Sequence, residues 1–305
     1  MIEVAIMIEG QNGLNWARWK RIARATEDLG FVGLYRSDHF TNMRPPDIDS
    51  LELWVSLAWL ADNTTRIEFG PLVTPMSFRS PVFTARMAKD VDDLSGGRLT
   101  LGLGAGWQDR EHTKFGFDLM APGPRFNRFE EGVQVVYRLL REQQPVSFSG
   151  EHFQLEQAAL FPPPARPGGP PILIGGRGWK RTLPLAARYA EEWNCVMVTV
   201  EQFSKLNTRM NQLLAERDRG LGEVRRSLMT GIIFSVDEAD ARRKAEARGQ
   251  TLEQLQSRGM VAGMPSQVLD QFGRFEEAGV QRIMLQWLDL DDLEGLEALA
   301  RTVLG

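Results

Sequence analysis

Short apolar runs alternate with longer amphipathic segments along most of this chain. The apolar runs are typical of strands covered on both faces, and they lie at 4–8, 32–35, 67–73, the first half of 97–107, 172–174, 193–198, 228–234 and 282–286. Between them, apolar residues recur at three- and four-residue spacing, which predicts helices at 16–29, 51–62, 81–94, 124–140, 201–217, 237–247, 265–278 and 291–303. Strands that alternate with helices in this way favour a closed parallel (β/α)8 barrel, the TIM-barrel fold, over an open doubly wound sheet.

The predicted alternation is interrupted once. Residues 144–171 contain a hairpin pattern at 146–155 and a proline-rich run at 161–171, and the strand pattern resumes at residue 172. We interpret this segment as an insertion before the fifth strand and not as a domain linker. Because 305 residues exceed the roughly 250 that are typical of such a barrel, we expect one α/β domain over residues 1–305. Its functional residues should lie at the carboxyl ends of the strands.

Composition and charge argue against several kinds of partner. A net charge of −4 and a pI near 5.6 disfavour binding to nucleic acid or to an anionic membrane surface. No apolar run approaches the roughly 20 residues of a membrane-spanning helix, and the apolar start lacks the basic residues and cleavage site of a signal peptide. We therefore expect a cytoplasmic protein that acts on a small molecule.

Cysteine and histidine usage predicts no metal site. Cys195 is the single cysteine, which excludes an internal disulfide, and its apolar neighbours predict a buried, unreactive thiol. His39, His112 and His152 do not have the spacing of metal ligands relative to one another. The sequence therefore predicts neither a zinc site nor a disulfide.

Alternating glycines mark the predicted fourth strand. Gly102, Gly104 and Gly106 remove side chains from one end of this strand, so we expect bare backbone there that supports a flat cofactor. The dinucleotide fingerprint G-x-G-x-x-G is not matched, because Trp107 or Asp109 occupies the place of its third glycine. The alternative interpretation is that these glycines only let a helix pack closely against the sheet.

Two side chains suited to acid–base chemistry follow the second predicted strand. With an ordinary pKa of about 6.5, His39 can donate or accept a proton near neutral pH. Asp38 can hydrogen-bond a cofactor or orient a neighbouring group. The alternative for this pair, taken alone, is that the histidine caps the following loop.

A second glycine-rich segment follows the fifth predicted strand. Gly175, Gly176 and Gly178 leave successive N–H groups unobstructed at the expected start of a helix, which is typical of an anion cradle. Arg177 and two further basic residues are within reach, although the spacing is not that of a Walker loop. The alternative is a tight strand-to-helix turn with solvated basic side chains.

Apolar and aromatic side chains fall at or just beyond the predicted strand ends: Phe40, Met43, Met76, Phe78, Trp107, Met197 and Trp287. Each one alone is typical of a protein core. Together they predict a barrel mouth with an apolar lining, suited to a planar cofactor and a fairly apolar substrate.

Five motifs give the chain a family resemblance that extends from the first predicted strand to the eighth. They are Ser-Asp-His-Phe at 37–40, Gly-Pro-Leu-Val-Thr-Pro at 70–75, Gly-Arg-Leu-Thr-Leu-Gly-Leu-Gly-Ala-Gly-Trp at 97–107, Glu-His-x-x-Phe-Gly at 111–116 and Ile-Leu-Ile-Gly-Gly at 172–176. In these motifs the chain resembles the luciferase-like flavin or deazaflavin oxidoreductases, and within them the branch that uses coenzyme F420. The resemblance implies a (β/α)8 barrel enzyme and suggests a homodimer.

The resemblance also implies roles for particular residues. It places the cofactor ring on the backbone of the third strand, with a non-proline cis peptide at 71–72. Asp38 matches a position at the hydroxyl edge of the ring, and His39 matches one near the carbon that transfers hydride. Gly175 and Gly176 match the phosphate-binding turn. Combined with the glycine pattern, this gives the expected cofactor-binding residues Asp38, Gly70, Pro71, Leu72, Gly104, Gly106, Trp107, Gly175, Gly176 and Arg177.

The Asp-His pair favours F420 over FMN as the cofactor, because flavin monooxygenases of this family resemble Glu-His-His at this point. A deazaflavin carries carbon where a flavin has N5 and does not readily activate oxygen. The implied reaction is therefore hydride transfer to or from a small, fairly apolar or carbonyl-like substrate. The alternatives are an FMN-dependent monooxygenase that works with a flavin reductase, and a non-catalytic barrel that only binds a cofactor.

One position departs from the branch that this chain resembles. Its sugar-phosphate dehydrogenases carry a catalytic glutamate where this chain has Trp107, so their activity is not implied here. Glu111 lies one helical turn onward and is the carboxylate that can supply a proton instead. The expected catalytic residues are therefore His39 and Glu111.

Overall fold

The computed structural model describes residues 2–305, in which parallel strands form a nearly closed barrel surrounded by helices. The strands are β1 (Glu3–Ile8), β2 (Gly33–Arg36), β3 (Glu68–Pro71), β4 (Thr74–Pro75), β5 (Leu101–Gly104), β6 (Val146–Ser149), β7 (Gln154–Ala158), β8 (Ile172–Gly175), β9 (Glu192–Val196), β10 (Arg225–Phe234), β11 (Val261–Gly263) and β12 (Arg282–Gln286). The hydrogen-bonded order is β3-β2-β1-β12-β10-β9-β8-β5-β4, with β11 paired to β10. Because β3 and β4 belong to one stretch of chain, this order begins and ends in the same place. The predicted barrel is confirmed.

Helices cover the outside of the barrel: α1 (Trp16–Asp28), α2 (Leu53–Asn63), α3 (Pro81–Leu94), α4 (Asp109–Phe115), α5 (Pro122–Arg141), α6 (Thr182–Tyr189), α7 (Val200–Ala215), α8 (Glu238–Glu246), α9 (Leu252–Gln256), α10 (Pro265–Glu277) and α11 (Leu293–Val303). Their apolar faces pack on the strands and form most of the core. Each long helix predicted from the sequence is present, whereas the short helices α4 and α9 are absent from the predicted pattern. In residues 2–305 no helix is both long and apolar enough to cross a membrane.

The predicted third strand is broken in the middle. Residues 68–75 form β3 and β4 with an irregular segment between them, and the Leu72–Val73 peptide there is cis. The expected position of the cis bond, Pro71–Leu72, is therefore wrong by one residue. The inward-bent segment lies beside the end of β5 and, through Leu72 and Val73, forms part of the wall of the central cavity.

The glycines of β5 serve this bent segment, which corrects the expectation of bare backbone. A Cβ on Gly102 would lie 2.1 Å from the carbonyl oxygen of Pro71, and one on Gly104 would lie 2.4 Å from Cγ2 of Val73. The Val73 side chain thus occupies the space that the missing side chains leave. The surface offered to a ligand is the 72–73 segment together with residues 104–106.

A charged network closes the amino-terminal end of the barrel. The guanidinium of Arg282 is 1 % exposed, donates to Tyr35 and Glu68 at 2.8 Å each, and forms an ion pair with Glu3 at 2.7 Å. Removing one partner of such a buried ionic cluster would leave an uncompensated charge, so the strands that carry the cluster are held together at this end. The cavity of the barrel opens at the opposite end, where the strands have their carboxyl ends.

The insertion predicted at 144–171 contains the antiparallel hairpin β6–β7. Glu131 of α5 accepts hydrogen bonds from the backbone N–H groups of residues 151, 152 and 153, which anchors the hairpin to the barrel. The hairpin lies outside the central cavity, so it does not contribute to the wall described next.

Candidate active site

A cavity of about 920 Å³ opens at the carboxyl ends of the barrel strands. This volume is at the upper end of the range for small-molecule and cofactor sites. The predicted site residues on its wall are His39, Leu72, Gly104, Gly106, Trp107, Glu111, Gly175 and Gly176. The other four predicted residues, Asp38, Gly70, Pro71 and Arg177, do not line it.

His39 and Glu111 form a hydrogen-bonded pair on one side of the cavity. Nδ1 of His39 lies 2.8 Å from Oε1 of Glu111, and Oε2 of the same carboxylate accepts a bond from the backbone N–H of Phe40 at 2.9 Å. Glu111 is 1 % exposed and lies in the first turn of α4. Because the Glu111 side chain is almost fully buried behind His39 and Phe40, the geometry favours a supporting position for it over the direct proton supply expected from the sequence. Nε2 is then the imidazole nitrogen left for a ligand.

The segment after β2 is held against α4 by further contacts. The side-chain amide of Gln108, the residue before α4, donates to the carbonyl oxygen of Thr41 at 2.9 Å. Together with the bond from Phe40, this contact fixes the two residues that follow the histidine. His39 is therefore positioned by a rigid support, as a group that must be aligned with a reacting atom requires.

The surroundings of His39 change its acidity. Burial lowers the pKa of His39, whereas the hydrogen bond and the negative charge of Glu111 raise it, and the net result is a pKa above the ordinary value. The imidazole consequently keeps its proton to a higher pH than a free histidine does. A proton held at this point can be delivered to an oxygen atom of a bound substrate.

We expect the replacement Glu111→Gln to lower the pKa of His39, because glutamine keeps a polar contact but removes the negative charge. The side-chain signals of the three histidines, followed by NMR as the pH is changed, measure this shift directly. A histidine whose pKa is raised on folding stabilises the native state most below its unfolded value of about 6.5, and this contribution disappears as the pH rises through the raised value. The loss of unfolding free energy in the variant should therefore be larger at about pH 6 than at about pH 9. An unchanged His39 titration would contradict the assignment.

Asp38 is held away from the cavity wall by ionic contacts. Its two oxygens accept bonds from Arg79 at 2.7 and 2.9 Å, and Thr74 donates to the same carboxylate at 2.7 Å. Burial lowers the pKa of Arg79, but the hydrogen bond and charge of Asp38 raise it above the ordinary value. In this arrangement Asp38 connects the end of β2 to β4, and both of its oxygens are bonded to other side chains. The contact with a cofactor edge that we expected of Asp38 stays a prediction.

The glycine-rich turn after β8 lies on the cavity wall only in its first half. Gly175 and Gly176 line the cavity, and Gly176 has a φ of 127°, a backbone conformation that other residues rarely adopt. Arg177 is exposed and donates to the carbonyl oxygen of Met197 at 3.1 Å. Helix α6 begins only at Thr182, so the expected placement of the cradle at a helix start is wrong. The N–H of Gly176 donates to the carbonyl oxygen of Asn194 at 2.9 Å, so the expected anion cradle of successive free N–H groups stays a prediction.

The predicted apolar mouth is present in part. Met43, Trp107 and Met197 line the cavity, and the Trp107 side chain is 53 % exposed. Its ring lies edge-on to that of His39, with the ring centres 5.5 Å apart. The remaining members of the predicted set are elsewhere, in an aromatic cluster beside the mouth or in the core: Phe40, Phe78, Met76 and Trp287.

Several polar residues of the cavity wall are not singled out by the sequence pattern. Glu9 follows β1 and accepts bonds from Gln11 at 3.0 Å and from Gln286 at 2.6 Å. Asn194 of β9 is fully buried on the cavity floor, and among residues 2–305 its Oδ1 has no hydrogen-bond partner. Their positions in the sequence could have indicated them, because Glu9 and Gln286 lie at the carboxyl ends of two strands that pair with each other.

The two other histidines have positions away from substrate chemistry. Both ring nitrogens of His112 are engaged, with the carbonyl oxygen of Gln108 at 2.7 Å and Oγ of Ser77 at 2.8 Å. His152 lies in the hairpin near Glu131 and Glu151, and one potential ligand atom from each of these three residues lies within 4.8 Å of the others. The carboxylate of Glu131 accepts three backbone bonds, and among residues 2–305 the buried Nε2 of His152 has no hydrogen-bond partner.

Comparisons with known proteins place this geometry in context. A family model for luciferase-like monooxygenases matches residues 2–259. A 4-hydroxyprotoasukamycin monooxygenase from Streptomyces nodosus subsp. asukaensis is 24 % identical over 93 % of this chain and 84 % of its own length. An F420-dependent hydroxymycolic acid dehydrogenase from Mycobacterium tuberculosis is 31 % identical over 56 % of this chain and 46 % of its own length.

The fold is shared with solved structures of enzymes. An F420-dependent secondary alcohol dehydrogenase, solved with an F420–acetone adduct, superposes with a TM-score of 0.87 at 18 % identity and covers 99 % of this chain and 98 % of its own. At this identity the likeness concerns the fold alone. The relatives found by sequence include two F420-dependent dehydrogenases, a 5,10-methylenetetrahydromethanopterin reductase and a monooxygenase.

Proposed function

This chain belongs to the luciferase-like monooxygenase family, and from that premise we propose that it is an F420-dependent oxidoreductase. The observation that carries the proposal is the His39–Glu111 pair on the wall of the barrel cavity, next to the bent segment at 72–73. The Ser-Asp-His-Phe motif at 37–40 supports F420 over FMN, since it resembles the F420 branch of the family. The substrate is a small, fairly apolar or carbonyl-like molecule.

The volume and the lining of the cavity support the binding of a deazaflavin. The 72–73 and 104–106 segments would contact the flat ring, and the lack of side chains at Gly175 and Gly176 would let a phosphate approach the backbone of the turn. The unpartnered Oδ1 of Asn194 on the cavity floor is a buried acceptor that a ligand can satisfy. About 920 Å³ leaves room for a substrate beside a tricyclic ring.

Bound F420 supplies two-electron hydride chemistry. The residues of this chain supply the proton and the alignment. Nε2 of His39 donates a proton to the substrate oxygen during carbonyl reduction, or accepts it during alcohol oxidation, while Glu111 keeps Nδ1 bonded and the ring fixed. Apolar side chains around the mouth exclude water from the reacting atoms.

A direct titration of cofactors tests the proposal. We expect F420 to bind at least about tenfold more tightly than FMN, which corresponds to about 1.4 kcal/mol. Fluorescence of the protein and of the cofactors reports both affinities in the same buffer. As a check that binding occurs in this cavity, Gly176→Asp should weaken the binding of either cofactor, because it adds a negative charge and a side chain at a positive φ. Tight FMN binding without F420 binding would contradict the proposal.

That contrary result would support a second candidate, an FMN-dependent monooxygenase that works with a flavin reductase. The relative from Streptomyces nodosus favours this candidate, since it is a monooxygenase and its match extends over nearly the whole chain. The two candidates differ in oxygen consumption, which only the monooxygenase requires. The homodimer suggested by the family resemblance stays a prediction.

A further inference from the structure

We infer that the substrate carries a protonated amine, which the carboxylate of Glu9 binds. This inference rests on the proposed function for the rest of the cavity and adds the chemical class of the molecule that enters it. The inference is carried by the carboxylate of Glu9 on the cavity wall, with which no lysine or arginine of residues 2–305 forms an ion pair.

Two glutamine side chains hold the carboxylate of Glu9 in place. Gln286 donates to Oε1 at 2.6 Å and Gln11 donates to Oε2 at 3.0 Å. The carbonyl oxygen of the Gln11 side chain in turn accepts a bond from Ser37 at 2.8 Å. Each carboxylate oxygen accepts one neutral bond and keeps a lone pair for a further donor. Glu9 is therefore both oriented and available.

The basic side chains near Glu9 do not bind it. Among residues 2–305, Arg44 is the one lysine or arginine on the cavity wall, and its side chain is exposed. The buried guanidinium of Arg36 donates to backbone carbonyl oxygens of Ser37, Leu51 and Glu52 and to a serine hydroxyl, with no bond to Glu9. Within the same part of the chain, no lysine or arginine forms an ion pair with this carboxylate. Arg36 and His39 act on Glu9 through their charges but do not bond to it, so a ligand that covers the carboxylate can supply the charged donor that it lacks.

Glu9 and Trp107 are the groups of the cavity wall that suit a ligand cation. Glu111 is bonded to His39, whereas Glu9 acts on His39 through its charge alone and keeps its oxygens for a ligand. Trp107, which stands where sugar-phosphate dehydrogenases of the resembled branch have glutamate, presents a half-exposed ring to the cavity. A carboxylate and an open indole face are the two groups that bind an ammonium ion best. A substrate with a phosphate or carboxylate would meet Glu9 with the wrong sign.

Three probes on one carbon ring measure this preference: cyclohexylamine, cyclohexanol and cyclohexanecarboxylate. We expect the wild-type protein to bind the amine about tenfold more tightly than the carboxylate, as measured by ligand-observed NMR titration with and without F420. Raising the salt concentration should reduce this difference, because it screens the charge at a partly exposed site. Equal affinities, or tighter binding of the carboxylate, would overturn the inference with no variant needed.

Two variants assign the preference to one residue. In Glu9→Gln the amine and the carboxylate should bind within about twofold of each other, whereas the affinity for cyclohexanol should change little. Glu156→Gln makes the same charge change on an exposed part of the hairpin and should leave all three affinities unchanged. An amine preference that persists in Glu9→Gln would overturn the assignment. Because none of the probes reports on the cofactor, a failure of F420 to bind would contradict the proposed function and leave this result standing.

Discussion

Replacing His39 with alanine should lower turnover by about 10²- to 10⁴-fold and leave the affinity for F420 within a few-fold of the wild type. The reason is that Nδ1 is bonded to Glu111 and the remaining nitrogen is the group that exchanges a proton with the substrate. The ring contacts expected of the cofactor come from backbone at 72–73 and 104–106, which this variant does not alter. A screen of reduced or oxidised F420 against ketones, aldehydes, enones and alcohols gives the wild-type rate.

A histidine outside the cavity provides the matched control. His152→Ala removes the same imidazole from the hairpin and should keep the wild-type rate, since His152 does not line the cavity. Cofactor titration of both variants separates loss of chemistry from loss of binding. If His39→Ala and the wild type turn over equally on every substrate, the barrel is a cofactor-binding protein or uses another acid. A loss of F420 affinity as large as the loss of rate would instead place His39 in binding.

The barrel is predictable from the sequence because each of its strands is a short apolar run with helical spacing on either side. The prediction of helices fails where a helix is too short for its apolar spacing to be recognised. Helix α4 has seven residues with a polar sequence, and its buried positions are Glu111 and His112, which no hydrophobic pattern reports. The prediction of the third strand fails for another reason. Its apolar run continues through the bend at 72–73, whereas its hydrogen bonding to the neighbouring strands is interrupted there.

The sequence predicts where the site lies better than it predicts the contacts within the site. Strand ends and the family resemblance locate His39, Glu111 and the turn at 175–176 on one cavity. They do not show that Asp38 is bonded to Arg79, because the two residues are far apart in sequence and meet only after the barrel closes. The same holds for Glu9 and Gln286, which come from the first and last strands of the barrel and are joined only by the fold.

Gly70→Ala is expected to reduce the free energy of unfolding by about 3 kcal/mol or more, a large part of the 5–15 kcal/mol typical of a domain. A Cβ at this position would lie 1.9 Å from the carbonyl oxygen of Thr100, which is a backbone atom of the neighbouring strand. Neither side can yield by rotating a side chain, and Thr100 is further held by its N–H bond to the carbonyl oxygen of Phe69 at 2.8 Å. The strands must therefore separate at this point. Urea titration of the purified variant measures the loss.

Gly273→Ala serves as the comparison, because it adds the same methyl group inside helix α10 with no atom within 4 Å of the new Cβ. This variant should be more stable than the wild type by about 0.5–1 kcal/mol, since alanine loses less conformational entropy in a helix than glycine. Opposite signs for the two variants show that steric contact decides the outcome at Gly70. Because Gly70 precedes the bent segment at 72–73, Gly70→Ala protein that still folds should also bind F420 more weakly. If Gly70→Ala instead has wild-type stability, the distance between residue 70 and the carbonyl oxygen of Thr100 is larger than in this structure.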